Sequence, residues 1–242
     1  MLENDDDQQH RPQGGQNPDE PGTPGTAWWN GVVTGDEPTL PESLRAALVR
    51  AGFGDDDASG AMVDEQLDSP VPRARVLALR AAARRRRLDA GSWTRAITDA
   101  TPVVRREALA LYAHHTPGDD TVLATVVRAL GDPDALVVDA AAFALGEHQF
   151  ADAVEPLVAV AAHHADARCR EAAVAALGML GDERGRAAVL AALEDRPPVR
   201  RRAVVALANY EGPDVDAALA RAREDRDWQV RAAAVQLGDD DD

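Results

Sequence analysis

Val199-Arg-Arg-Arg-Ala-Val-Val-Ala-Leu207 recurs in recognisable form along most of the chain. Two further copies are Val104-Arg-Arg-Glu-Ala-Leu-Ala-Leu111 and Val230-Arg-Ala-Ala-Ala-Val-Gln-Leu237. We number the positions of each copy from its first valine, which is position zero. Apolar residues stand at positions zero, four, five and seven, which places them on one side of a helix with 3.6 residues per turn. Each copy is therefore predicted to be an amphipathic helix.

Six copies align on one register residue each, and the intervals between these residues are 30, 34, 31, 30 and 31 residues. The register residues are Ala74, Val104, Val138, Cys169, Val199 and Val230. Four positions on, every copy has alanine: Ala78, Ala108, Ala142, Ala173, Ala203 and Ala234. Five positions on, every copy is apolar: Leu79, Leu109, Phe143, Val174, Val204 and Val235.

A period of about thirty-one residues is that of a helix pair. One pair cannot bury both of its apolar faces, so neighbouring pairs must stack into a continuous core. The sequence therefore predicts an all-α fold, an α-solenoid of about six helix pairs in which small alanines let adjacent helices approach closely.

The chain divides into four segments by composition. Residues 1–40 carry eight acids against one arginine and are rich in Gly, Pro and Gln, which predicts a disordered tail. Its Trp28 and Trp29 are out of character there and form either a short recognition motif or a contact with the first repeat. Residues 41–57 are predicted to form a capping helix and loop, residues 58–238 the solenoid, and residues 239–242 an acidic C-terminal tail.

The overall charge limits the classes of partner. The 242 residues include 42 acidic and 26 basic side chains, for a net charge of −16, which disfavours bulk attraction to nucleic acid or anionic lipid. The N-terminus resembles no signal peptide, no apolar run reaches membrane-spanning length, and the single cysteine, Cys169, excludes an internal disulfide. We expect a cytoplasmic monomer.

The repeats resemble the HEAT family, in particular the short repeats also found in phycobilin lyases. The family pattern places Asp a few residues before Val-Arg, and it is matched by Asp99 with Val104-Arg105, by Asp195 with Val199-Arg200 and by Asp225 with Val230-Arg231. The rest of the family pattern, Ala-Ala-x-Ala-Leu-Gly, is matched by the run Arg170-Glu-Ala-Ala-Val-Ala-Ala-Leu-Gly178. The resemblance covers roughly residues 58–238 and implies a protein-binding scaffold whose second helices line the concave surface.

An arginine follows the register residue in five repeats, and Asp139 takes its place in the third. The arginines are Arg75, Arg105, Arg170, Arg200 and Arg231. Pairing of each arginine with an aspartate of its own or the next inter-helix turn would tie repeats together. A stripe of arginines for an anionic ligand is the alternative.

Helical geometry assigns positions two, three and six after the register residue to the side facing away from the core. We predict that a protein or peptide, acidic or amphipathic, binds there. The candidate contacts are Arg106, Ala140, Ala141, Ala144, Glu171, Ala172, Ala175, Arg201 and Arg202. The alternative is that alanine is abundant in these helices only because it is a good helix former.

A second candidate function rests on the basic region 73–106, which contains the run Arg84, Arg85, Arg86 and Arg87. Such a patch can attract nucleic acid. No aromatic residues interleave with the run, however, so the patch more readily fits a solvated helix end that contacts an acidic segment.

Enzymatic candidates find little support. His114-His115, Glu147-His148 and His163-His164 lack the i, i+4 spacing of a metal-binding helix, and the chain has no His-Glu dipeptide of the kind that HEAT-repeat hydroxylases use. No nucleophile elbow or phosphate-binding glycine loop occurs. We predict no catalytic residue, no cofactor and no metal; a lyase or a metal-dependent oxidoreductase is the remaining enzymatic alternative.

Overall fold

The computed structural model describes residues 39–54, 56–115 and 120–239, and side chains as far as residue 237. Every regular element in these ranges is helical. The helices are α1 (Glu42–Ala51), α2 (Asp57–Gln66), α3 (Pro72–Arg84), α4 (Ala90–Ile97), α5 (Pro102–Tyr112), α6 (Asp120–Arg128), α7 (Ala135–Glu147), α8 (Val154–His163), α9 (Ala167–Leu180), α10 (Glu183–Ala191), α11 (Pro197–Ala206), α12 (Pro213–Ala222) and α13 (Trp228–Asp239). No described helix has the length and apolar character needed to span a bilayer.

The helices form two layers. The odd-numbered helices α3 to α13 are the second helices of six pairs, and each packs against the next one in the same layer. The even-numbered helices α2 to α12 are the first helices, and each packs against the second helix of its own pair. Helix α1 packs on α3 and α2, so it extends the second-helix layer by one helix. The predicted α-solenoid of six helix pairs is confirmed.

The six predicted alanines lie in the core. Ala78, Ala108, Ala142, Ala173, Ala203 and Ala234 are all 0% exposed. Position five is buried in four repeats, but the two exceptions are Phe143, 42% exposed, and Val235, 47% exposed. Val235 is on α13, the last described helix.

Phe143 is exposed because the third repeat is displaced by one residue from the predicted register. In α7 the buried residues include Val137, Ala141, Ala142, Ala144 and Leu145, the same offsets as Cys169, Ala173, Val174, Ala176 and Leu177 in α9. The capping aspartates agree, because Asp134 precedes Val137 by three residues, as Asp166 precedes Cys169. The third register residue is therefore Val137, and the prediction of Val138 was wrong.

Arginine–aspartate pairs connect consecutive repeats, as the scaffold interpretation predicted. Each arginine donates from Nε and Nη2 to both oxygens of an aspartate in the next inter-helix turn, at 2.6–2.9 Å. Its Nη1 also donates to a carbonyl oxygen of its own turn. These side chains are only 5–19% exposed. The pairs are Arg75–Asp99, Arg105–Asp132, Arg170–Asp195 and Arg200–Asp225.

The series lacks one pair, between the third and fourth repeats, and both of its members are replaced. With the corrected register, Val138 occupies the arginine position, and it is 0% exposed. His164 occupies the aspartate position, five residues before Cys169. Its Nδ1 accepts the backbone N–H of Asp166 at 3.1 Å, just as Asp99 and Asp132 accept the N–H two residues further on. The prediction that Asp139 replaces the arginine was wrong.

Restoring the missing pair tests this assignment. Val138→Arg alone buries an unpaired cation, and we expect it to lower the free energy of unfolding by about 2–3 kcal/mol. His164→Asp supplies the carboxylate, so the double variant is expected to recover about 1–2 kcal/mol of that loss. Urea unfolding of the two single variants and the double variant measures the coupling. Additive effects would show that position 138 does not face position 164 as Arg105 faces Asp132.

Candidate protein-binding surface

The second helices α5, α7, α9 and α11 present one continuous set of outward positions. We call it the second-helix surface and define it by positions two, three and six of each helix. It comprises Arg106, Glu107 and Ala110; Asp139, Ala140 and Phe143; Glu171, Ala172 and Ala175; and Arg201, Arg202 and Val205. All of these side chains are half-buried or exposed.

Two predicted contacts do not lie on this surface. Ala141 and Ala144 are 0% exposed, because the displaced register turns them into the core between neighbouring helices. Their placement was wrong, and Asp139 and Phe143 occupy the outward positions instead. The seven other predicted residues, Arg106, Ala140, Glu171, Ala172, Ala175, Arg201 and Arg202, do lie on the outward side.

Much of the charge on this surface pairs within the chain. Arg80 donates from Nε and Nη2 to the carboxylate of Glu107 at 2.6 and 2.8 Å, which joins α3 to α5. Arg202 approaches Glu171 at 3.5 Å and joins α11 to α9. Arg201 donates to the side-chain oxygen of Gln229 at 3.3 Å. These contacts join neighbouring repeats, so the charged groups that make them are already paired within the chain.

The middle of the surface, on α7 and α9, is apolar apart from the carboxylates Asp139 and Glu171. Phe143 is 42% exposed and Val205 45% exposed, and half-buried alanines lie between them on α7 and α9. The His114 ring lies edge-on to Phe143, with ring centroids 5.9 Å apart. Asp139, one helical turn before Phe143, is half-buried, and burial raises the pKa of its carboxyl group. Exposed apolar patches that include an aromatic side chain are typical of protein-binding surfaces.

The arginine run is largely engaged within the chain. The guanidinium of Arg84 lies 4.3 Å from the ring centroid of Phe53. Arg85 donates to the carbonyl oxygens of Ala51, Gly54 and Asp56 and so binds the end of α1, and Arg87 pairs with Asp64 at 2.6 Å. Arg86 has a left-handed backbone with φ of 54° and an exposed side chain. The region 73–106 is thus not a row of free cations, because Arg75, Arg80, Arg95 and Arg105 also pair with carboxylates.

His114, His115 and His148 contact aromatic rings. His148 lies beside Tyr112, with ring centroids 4.7 Å apart, and its Nε2 is 2.9 Å from the Tyr112 carbonyl oxygen. His115, at the equivalent position beyond the end of α5, has a pKa lowered by burial and by the neighbouring His148 and Arg86. Within the described ranges, no three His, Cys, Asp or Glu side chains are grouped to hold a metal ion.

Cys169 lies in the core, 0% exposed. Burial raises the pKa of its thiol to about 11, so the thiolate required of a nucleophile is disfavoured. Trp28 and Trp29 lie outside the described residues, as does nearly all of the tail predicted over residues 1–40.

Comparison with known proteins agrees with this architecture. The model of the family described as HEAT repeats matches residues 91–178, 123–208 and 154–237. These matches together span residues 91–237, more than half of the chain. The chain therefore belongs to the HEAT-repeat family. None of the curated proteins compared with the chain matches it.

Several solved structures share the fold. The Escherichia coli protein YibA is 17% identical, with 84% of this chain and 76% of that chain covered and a TM-score of 0.57. An engineered protein is 20% identical, with 72% and 93% covered and a TM-score of 0.53. A designed armadillo repeat protein, solved in complex with the peptide (KR)4, is 17% identical, with 82% and 99% covered and a TM-score of 0.50. At such identities these likenesses show the fold alone.

Proposed function

We propose that this protein is a non-enzymatic scaffold or adaptor that binds another protein or a peptide on its second-helix surface. The observation that carries the proposal is the exposure of Phe143 and Val205 across a floor of half-buried alanines on the outward side of α7, α9 and α11. A solenoid offers such a surface over several repeats, so a partner can contact many helices at once. We propose a cytoplasmic location and a monomeric state with it.

Binding to a protein accounts for the surface better than the other candidates. The arginines of the basic region are mostly held by the chain's own carboxylates and carbonyl oxygens, which weakens the argument for nucleic acid. The buried thiol of Cys169 offers no nucleophile. A binding surface needs neither group, since its energy comes from apolar contact at the centre and charges at the rim.

The proposal is tested by changing the alanine floor without changing the net charge. Ala172→Gln with Ala175→Gln adds bulk and polarity between Phe143 and Val205, and glutamine retains a good helix propensity. The unaltered full chain and the variant are each used to retain proteins from extracts of the source cells. We expect the variant to retain about tenfold less of each partner protein, as measured by quantitative mass spectrometry.

The matched control is Ala187→Gln with Ala191→Gln, two exposed alanines on α10 in the first-helix layer. This variant is expected to retain the same proteins, and circular dichroism should show equal helicity in both. Equal retention by both variants would contradict binding on the second-helix surface.

A further inference from the structure

Asp139 has an environment that no other half-buried carboxylate of the described residues shares. The other nine each have a hydrogen-bond or ion-pair partner: Asp99, Glu107, Asp132, Asp134, Glu171, Asp182, Asp195, Asp225 and Asp227. Asp139 has neither a hydrogen bond nor an ion pair with any described residue. A carboxylate that is partly removed from water without a partner destabilises the fold, so its presence needs a reason beyond packing.

The charges around Asp139 do not supply the missing partner. Arg168, exposed at the start of α9, favours the charged form of the carboxyl group from a distance, whereas Glu171 and Asp166 oppose it. Glu171 is itself paired with Arg202. The local surroundings of Asp139 therefore include two further acids and one basic group that it does not contact.

Helix α7 places an aromatic ring and a second acid on the same face as Asp139. Phe143 and Glu147 follow at intervals of four residues, which is about 6 Å along the helix axis for each step. Both side chains are exposed. Ala140 on α7 and Ala172 and Ala175 on α9 are small, so they leave the Phe143 ring accessible from the side of the second-helix surface.

We propose that this part of the second-helix surface binds a basic, apolar segment of a partner protein, in which a lysine or arginine lies next to a large apolar residue. The partner's cation pairs with Asp139, and its apolar side chain packs against Phe143 over Ala175. Glu147 provides a second position for a cation. This inference rests on the proposed function and specifies its partner chemistry, in place of the acidic segment that the sequence alone suggested.

The occupant follows from charge complementarity. A partner with an acidic group would bring a third negative charge beside Asp139 and Glu171, whereas a cation satisfies the carboxylate that the chain leaves without a partner. The same cation is repelled by Arg168. Removing this charge in Arg168→Gln is therefore expected to strengthen binding, whereas Asp139→Asn is expected to weaken it.

The test uses the full chain and three fluorescein-labelled peptides of equal length, built from Lys and Leu, from Glu and Leu, and from Lys and Ser. Fluorescence anisotropy at about 0.15 M salt measures the dissociation constants. We expect the Lys-Leu peptide to bind most tightly. Asp139→Asn is expected to weaken its binding by about tenfold and Phe143→Ala by about fivefold, whereas Arg168→Gln strengthens it.

Asp216→Asn is the matched control, because Asp216 is exposed on α12 in the first-helix layer and its removal changes the net charge by the same amount. It should change the dissociation constant less than about twofold. Asp139→Asn is also expected to leave the melting temperature unchanged or higher. A lower melting temperature would show that Asp139 stabilises the fold, and it would overturn the argument from its missing partner.

The outcomes separate this inference from the proposed function. Tighter binding of the Glu-Leu peptide than of the Lys-Leu peptide overturns the inference. The inference also fails if the Ala172→Gln, Ala175→Gln variant loses binding of the Lys-Leu peptide and Asp139→Asn does not. Both results leave the proposed function standing. Binding of the Lys-Leu peptide that no second-helix variant changes also overturns the inference, and retention of cellular proteins then decides the proposed function. If none of the peptides binds, the inference fails, and retention of cellular proteins alone then decides the proposed function.

Discussion

Gly178→Ala is expected to lower the free energy of unfolding by about 2–3 kcal/mol, although alanine is the better helix former. Gly178 is buried in α9, where that helix meets α11. A Cβ atom added there would lie 2.6 Å from the Cβ and 2.7 Å from the Cα of Ala206. Neither atom can move without shifting α11, because one belongs to the backbone and the other is fixed to it.

Two other helical glycines, Gly146 and Gly91, have more space around them, so their substitution by alanine is expected to be less destabilising. A Cβ atom on Gly146 would meet Met179 Sδ at 3.0 Å and Ala176 Cα at 3.2 Å, so the flexible methionine absorbs part of the overlap. Gly91 offers only Asp89 Oδ1 at 3.6 Å, an ordinary contact. Urea unfolding should rank Gly91→Ala as neutral or stabilising, Gly146→Ala as intermediate and Gly178→Ala as most destabilising. A stabilising Gly178→Ala would show that α9 and α11 are not in such close contact.

The sequence was sufficient to predict the solenoid because the same constraint recurs in every repeat. Alanine four positions after the register residue is required wherever two second helices pack closely, and six such positions determine the period together. The arginine–aspartate pairs were predictable for the same reason, since Arg75, Arg105, Arg170 and Arg200 recur at a constant offset. Errors in a single repeat do not change the architecture.

The register of the third repeat could not be obtained from apolar spacing. Helix α7 reads Ala-Leu-Val-Val-Asp-Ala-Ala-Ala-Phe-Ala-Leu-Gly-Glu and is apolar nearly all round, so two adjacent registers satisfy the same pattern. Its capping residue does discriminate between them, because Asp134 lies three residues before Val137, as Asp166 lies before Cys169. A polar residue that must satisfy a helix end determines the register more narrowly than small apolar residues do.

That one-residue displacement also changed the candidate site. It moved Ala141 and Ala144 into the core and brought Asp139 and Phe143 to the surface. The missing partner of Asp139 was not predictable at all, because it depends on which side chains of α9 approach α7. The sequence gives the residue types on a face, whereas their pairing depends on distances between helices.

Arg200→Ala is the second substitution with a large expected effect, a loss of about 2–4 kcal/mol in the free energy of unfolding. Arg200 is 4% exposed and donates to both oxygens of Asp225 and to the Asp195 carbonyl oxygen. Removing it leaves a poorly hydrated carboxylate and an unpaired carbonyl oxygen between the last two repeats. Arg45→Ala is the control, because its pair with Glu42 is 59% and 81% exposed and is expected to have no measurable effect.

The loss should depend on pH in a defined direction. The hydrogen bonds from Arg200 lower the pKa of Asp225 below its ordinary value. A carboxyl group with a lowered folded-state pKa contributes stability that is complete above its unfolded pKa, about 3.9, and that is lost as the pH falls through the folded value. Urea unfolding of the wild type and Arg200→Ala should therefore show a larger difference at pH 7 than at about pH 3.5. An equal difference at both pH values would mean that Arg200 stabilises the solenoid through packing of its side chain, without a contribution from the ion pair.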